Sequence, residues 1–226
     1  MKNTLFSLLS LFSLVCMTYS CQDDNENGTA DIGTGSWYYE SPHFVFDYSS
    51  DYIRINMGSP ANTKSWAVEG IKRSFPLLAD EKMKAYFEGI DFLSEGQMNI
   101  KMQFAEGRKE NLKADYRLKD HFLEVSLDAG DLERLTGKKL NIPKISFRYI
   151  SDDKGNLMLC FDKIYVTAMA SMMLDQILDM VLPSLIPAYP HLPEIAQSAI
   201  AASFKTQVNQ ILEQTRTLEI GINLKR

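Results

Sequence analysis

The side chains that could carry chemistry are few and far apart. Three histidines (His43, His121, His191) and three cysteines (Cys16, Cys21, Cys160) are spread over 226 residues. A helical metal pair needs two ligands at i, i+4, and a zinc or redox loop needs Cys-x-x-Cys; neither spacing occurs. No Gly-x-Ser-x-Gly is present to build a nucleophile elbow. Gly33-Thr34-Gly35 precedes a strand instead of following one, which is the wrong context for a phosphate loop. Asp152 and Asp153 are neighbours on a hairpin tip, so their carboxylates point apart and serve the turn. Cys160 lies between Leu159 and Phe161, beside Met158 on the face opposite the main apolar set. No cationic residue adjoins it in sequence, so a buried, inert thiol is expected. The sequence therefore nominates no catalytic residue, no metal ligand set and no cofactor, and an enzyme is not expected.

The elements that would position any site fall into two kinds. From Ile164 to Leu212 run two apolar helical segments that the preceding hairpins are expected to enclose. In the first, Val166, Met169, Ala170, Met173, Leu174, Ile177 and Val181 recur at three- and four-residue steps. In the second, Ala196, Ile200, Phe204, Val208 and Ile211 make the stripe, with Pro193 in the first turn. The link Pro183 to Pro193 holds four prolines and is read as non-helical. Asp175 and Asp179 rule out a membrane span for the first segment.

The remaining segments alternate as strands do. Ser36 to Glu40 and Phe44 to Phe46 read as early strands interrupted at Ser41-Pro42. A helix follows from Ser59-Pro60 to about Ser74, and a second starts at Asp80 and ends at Gly89. Met98, Ile100, Met102 and Phe104 then share one face of a strand. Leu112, Ala114, Tyr116 and Leu118 share another, with a turn at Lys119-Asp120 before Leu123, Val125 and Leu127. Ile145, Phe147 and Tyr149 face Leu157, Leu159 and Phe161 across Asp152 to Gly155, and Leu218 to Leu224 is a last strand. Eight or more antiparallel strands, each with one apolar face, suggest a sheet closed on itself. The fold class is mainly β with helices: an antiparallel barrel, helical caps, and a two-helix segment before the closing strand.

The N-terminus reads as an address. Lys2, the apolar run Leu5 to Val15 and small residues before Cys21 have the layout of a secretory signal. Thr18-Tyr19-Ser20-Cys21 resembles the lipobox of bacterial lipoproteins, which implies cleavage before Cys21 and its acylation. Several acyl chains make a stable anchor where one would be marginal. Asp23, Asp24 and Glu26 resemble the acidic export signal of bacteroidete surface lipoproteins, which implies the outer membrane and exposure to the exterior. The expected parts are a signal at 1–20, a lipidated acidic tether at 21–35, and one domain at 36–226. Removing Lys2 with the signal leaves 23 basic against 29 acidic residues, and no basic block exceeds Lys138-Lys139, so nucleic acid is not expected as a partner. With Cys16 removed and Cys21 acylated, Cys160 has no disulfide partner, and a packed core must supply stability.

Gly35-Ser36-Trp37 is similar to the Gly-x-Trp of a lipocalin first strand. The order of strand, helices, hairpins, helical segment and closing strand resembles a lipocalin-like family of bacteroidete lipoproteins of unknown function, over residues 35–226. That resemblance implies a non-catalytic binding lipoprotein. An apolar small molecule or lipid would lie between barrel and helix, lined by Trp37, Met102, Phe104, Tyr116, Met169 and Met173. Five of the eleven methionines fall between Met158 and Met180, and thioethers suit an adaptable apolar pocket. The alternative is an interaction subunit with a filled interior, whose exposed aromatics meet a partner protein or glycan. A filled interior would select the second reading.

Overall fold

A computed structural model describes residues 32–56, 63–104, 107–137, 144–152, 154–186 and 188–226. The expected signal, Cys21, nearly all of the tether and the Ser59-Pro60 cap lie outside the described residues. Strands β1 (Gly35–Tyr48), β4 (Phe87–Phe92), β5 (Gln97–Gln103), β6 (Lys109–Lys119), β7 (Phe122–Leu127), β8 (Ile145–Ser151), β9 (Asn156–Asp162) and β10 (Thr215–Lys225) form a closed antiparallel barrel. Each strand pairs with its neighbour in that order, and β10 closes the sheet against β1. A separate hairpin, β2 (Tyr52–Asn56) and β3 (Thr63–Ala67), leads into helix α1 (Val68–Tyr86). Helix α2 (Ala129–Thr136) joins β7 to β8, while α3 (Lys163–Leu185) and α4 (Glu194–Gln214) join β9 to β10.

Following the strand directions, the short turns after β4, β6 and β8 all lie at one end of the barrel. The four helices among the described residues and the extra hairpin lie at the other. At the turn end Asp120 takes φ +53 and Gly155 φ +79, the left-handed conformations that tight reversals need. Ile32, 1% exposed, enters the core at this same end.

Strand β1 corrects the expected interruption at Ser41-Pro42. It is one strand of 14 residues with a register shift between Tyr39 and Ser41, where Glu40 is the extra residue. The bulge absorbs the proline without ending the strand, and it reverses which residues face inward. Trp37 and Tyr39 face the interior before it. Beyond it Pro42, Phe44 and Phe46 oppose the inward residues Ile222, Ile220 and Leu218, so His43 is turned outward.

Two expected helices are in fact one. Residues 63–67 form β3, and α1 then runs unbroken from Val68 through Pro76 to Tyr86. Tertiary anchors on both sides of the proline hold it: the Phe75 ring lies 4.4 Å from Phe44, and the Tyr39 hydroxyl donates to Asp80 Oδ1 at 3.1 Å. Gly89 does not cap a helix. It belongs to β4, where a Cβ would sit 2.1 Å from the Trp37 carbonyl oxygen, so only glycine lets β4 lie against β1. Similarly, α3 continues two residues past Pro183, and Pro193 is the N-cap of α4 instead of a first-turn residue.

The barrel does not enclose the helical pair. Tyr165 and Val166 in the first turn of α3 join the barrel core. Beyond them Leu174, Leu178 and Leu182 pack with Tyr189 and with Phe204 of α4 in a second core, which Ile55 of the hairpin also borders. Gln207 of α4 pins that hairpin by accepting from Asn56 N–H and donating to its carbonyl. Among the described residues no helix is long and apolar enough to cross a membrane.

Candidate functional site

The interior is packed from the turn end up to Ile145 and Phe161, while Phe44, Phe46 and Ile220 toward the helical end of β1 and β10 are half-buried. Phe92, Met98, Leu157 and Leu224 near the turn end are each 2% exposed or less, as are Val125, Leu159, Ile145 and Phe161 further along. Aromatic contacts tie the layers: Phe92 meets Tyr116 edge-on at 5.0 Å, and Phe161 stacks between Phe147 and Tyr165, 4.5 Å from each.

The residues nominated for a ligand pocket are distributed through this packing. Trp37 is 2% exposed in the core, and Met102 and Tyr116 are half-buried against it. The Trp37 indole N–H has no hydrogen-bond partner among the described residues. Phe104 follows β5 at the helical end, with the Arg108 guanidinium 5.2 Å over its ring. Met169 and Met173 lie on α3, and their side chains fall outside the described residues.

A different group of reactive side chains converges on the outside of the barrel. Cross-strand pairing aligns His43 on β1 with Gly221 on β10, Gly221 with Cys160 on β9, and Cys160 with Arg148 on β8. All four alternate outward, opposite to Ile222, Leu159 and Phe147. Glu219, two residues before Gly221, leans over the row. Its Oε2 accepts from His43 Nε2 at 2.7 Å when that nitrogen carries the proton, and its Oε1 accepts from Arg148 Nη2 at 2.5 Å. His43, Glu219 and Arg148 thus form a bridge over Cys160, which is fully buried while His43 and Glu219 keep 20% of their side-chain surface. One nitrogen of His43, Cys160 Sγ and one oxygen of Glu219 all lie within 4.8 Å of one another.

Gly221 is what permits this spacing. A Cβ there would stand 2.1 Å from the Leu159 carbonyl oxygen and 2.7 Å from Cys160 Cβ, so any side chain would push β10 away from β9.

The electrostatics follow from partial burial. Burial opposes ionisation of Glu219, but the hydrogen bond from His43 and the charge and hydrogen bond of Arg148 outweigh it, and the carboxyl sits below its ordinary range. Burial pushes the Cys160 thiol up, and the adjacent Arg148 offsets part of that rise. The buried thiol expected from the sequence is therefore present. The surroundings differ from the expectation, because a cation does adjoin Cys160 in space. Arg148 Nε is itself buried without a hydrogen-bond partner among the described residues.

Sequence reasoning missed this cluster because its members come from four strands. Alternation placed Cys160 outward correctly, but the parity of His43 depends on the bulge at Glu40, which no local pattern announces. No family model, curated protein or solved structure matches the chain.

Proposed function

We propose that this chain is a lipid-anchored outer-membrane lipoprotein, tethered through Cys21 and facing the exterior, whose barrel is a non-catalytic interaction domain for a partner protein or glycan. One observation favours the interaction subunit over the carrier: the inward side chains of β4 to β9 pack into one buried cluster, from Phe92 and Leu157 at the turn end to Phe161 under Tyr165 of α3. A carrier of an apolar ligand needs a largely pre-formed cavity of about 300 Å³ or more. Here Phe92 and Tyr116, and Phe147, Phe161 and Tyr165, are in direct ring contact.

Placement of the N-terminal segment adds support. The described chain enters at the turn end through Ile32, and on the expected anchor at Cys21 we place that end toward the membrane. The helical end then points away, and with it the β2–β3 hairpin, whose Tyr52 is 52% and Trp66 40% exposed. Exposed aromatic rings of this kind suit a protein or sugar surface. The resemblance to lipocalin-like bacteroidete lipoproteins agrees with the barrel and with the reading as a surface lipoprotein.

Native mass spectrometry of the protein purified from its own host tests the reading. The expected result is the bare mass of the acylated chain; a stoichiometric apolar adduct would overturn the interaction reading in favour of a carrier. Protease shaving of intact cells tests placement, with loss of the domain expected and full protection contradicting surface exposure.

A further inference from the structure

We propose that His43, Cys160 and Glu219 form a binding site for one zinc-like divalent cation on the outer face of the barrel, built across β1, β9 and β10. Imidazole, thiolate and carboxylate are a donor set for a borderline-soft metal, and zinc accepts all three. Ligand atoms at ordinary zinc distances of about 2.0–2.3 Å stand roughly 3.3–3.7 Å apart around a tetrahedron. The three donors already lie within 4.8 Å of one another, so side-chain rotation of about 1 Å closes the site.

Three features argue for a built site over a chance polar patch. The donors are held by strand register and not by loops: His43 and Cys160 are both aligned with Gly221, and Glu219 lies two residues before it. Gly221 is sterically required to keep Cys160 in that register. Arg148 holds Glu219 through Oε1 alone, which leaves Oε2 directed at His43. A metal-bound carboxylate is commonly held by such an outer partner.

Arg148 is the obvious objection, since a cation repels a cation. The charge count answers it. Thiolate and carboxylate together balance a divalent ion, and the remaining charge of Arg148 is shared with solvent, to which 34% of its side chain is open. Metal entry sends the proton of the Cys160 sulfur to solvent, while neutral His43 carries its proton on Nδ1 instead of Nε2 and so frees Nε2 for the metal; no oxidant or reductant is needed. Three protein ligands leave a fourth position for water on the partly exposed side of His43 and Glu219.

Cobalt(II) is the probe, because its thiolate complexes absorb intensely in the near-ultraviolet. Titration of the purified protein is expected to give one equivalent bound, with a thiolate charge-transfer band that equimolar zinc abolishes. Cys160→Ser should remove the band, and His43→Ala should weaken binding more than tenfold. Should Cys160→Ser fail to fold by circular dichroism, Glu219→Gln provides the test: the band should persist, with affinity reduced tenfold or more. Absence of the band at millimolar cobalt overturns the site, as does a band that survives Cys160→Ser. Unchanged affinity in both His43→Ala and Glu219→Gln also overturns it.

Discussion

The guanidinium of Arg226 lies 4.8 Å over the ring of Trp37, and its Nη2 donates to the Ile32 carbonyl at 2.8 Å. The last residue of the chain thus clamps the segment that enters the barrel onto the strand that begins it. Arg226→Ala removes a cation–π contact and a charged hydrogen bond, which at this partly open position amount to about 1–2 kcal/mol. Urea unfolding should show that loss as a lower midpoint with unchanged slope, and Arg226→Lys should recover only part of it.

The buried cluster predicts how core truncation behaves. Leu123 has no exposed surface, and replacing it with alanine is expected to cost about 2–5 kcal/mol, depending on how far its neighbours collapse. The resulting void should take up xenon or benzene where the wild-type protein takes up neither. Uptake by the wild type would show that the interior is open.

Gly89 and Gly221 occupy equivalent places in the sheet, each pressed on a neighbouring strand so that a Cβ would meet a carbonyl oxygen at 2.1 Å. Alanine at either position is expected to destabilise by about 1–3 kcal/mol or to prevent folding. Alanine at Gly107, whose Cβ would meet nothing within 4 Å but whose φ is +74, should act only through local backbone strain, by about 1 kcal/mol. Thermal unfolding of the three variants separates the effects.

Asp91 and Lys101 pair across β4 and β5 at 2.7 Å, with only 24% and 16% of their side chains exposed. Burial works against the Asp91 charge, yet hydrogen bonds from Lys101 and Ser36 and the lysine charge hold its carboxyl below the ordinary range. A carboxylate with a depressed folded-state pKa stabilises the fold above its unfolded value, about 3.9, and loses that contribution as pH falls through the lower folded value. Asp91→Asn should therefore cost on the order of 1 kcal/mol at neutral pH. The difference should shrink as pH falls below the ordinary carboxylate range and through the depressed folded value, as seen by chemical denaturation.

Much of the barrel was legible because its hairpins alternate strictly and turn on short polar sequences. Met98 to Met102, Leu112 to Leu118 and Leu157 to Phe161 all face as alternation requires. What escaped was whatever local pattern cannot report. Val68–Tyr86 reads as two helices because Pro76 is a breaker in isolation; contacts to β1 on both sides of it override that preference. Gly89 reads as a helix stop, while its role is steric and depends on a strand some fifty residues earlier. In α3 the expected stripe included Leu174, but Leu178 and Leu182 also turned out buried, because that helix meets α4 and the β2–β3 hairpin in place of the barrel. The outer-face cluster required three registers and one bulge to be known together.

Closure of the sheet by β1 and β10 has a kinetic consequence. Ser41 and Asn223, which bond across that seam, are 182 residues apart, so the longest strand lacks most of its pairing until the final segment is seated. Local hairpins from β4 to β9 can form early, whereas the seam must wait for a contact of high sequence separation. Seating of β10 is then expected to limit the folding rate, and until it occurs β1 and β9 are open edges on which two nascent chains could pair.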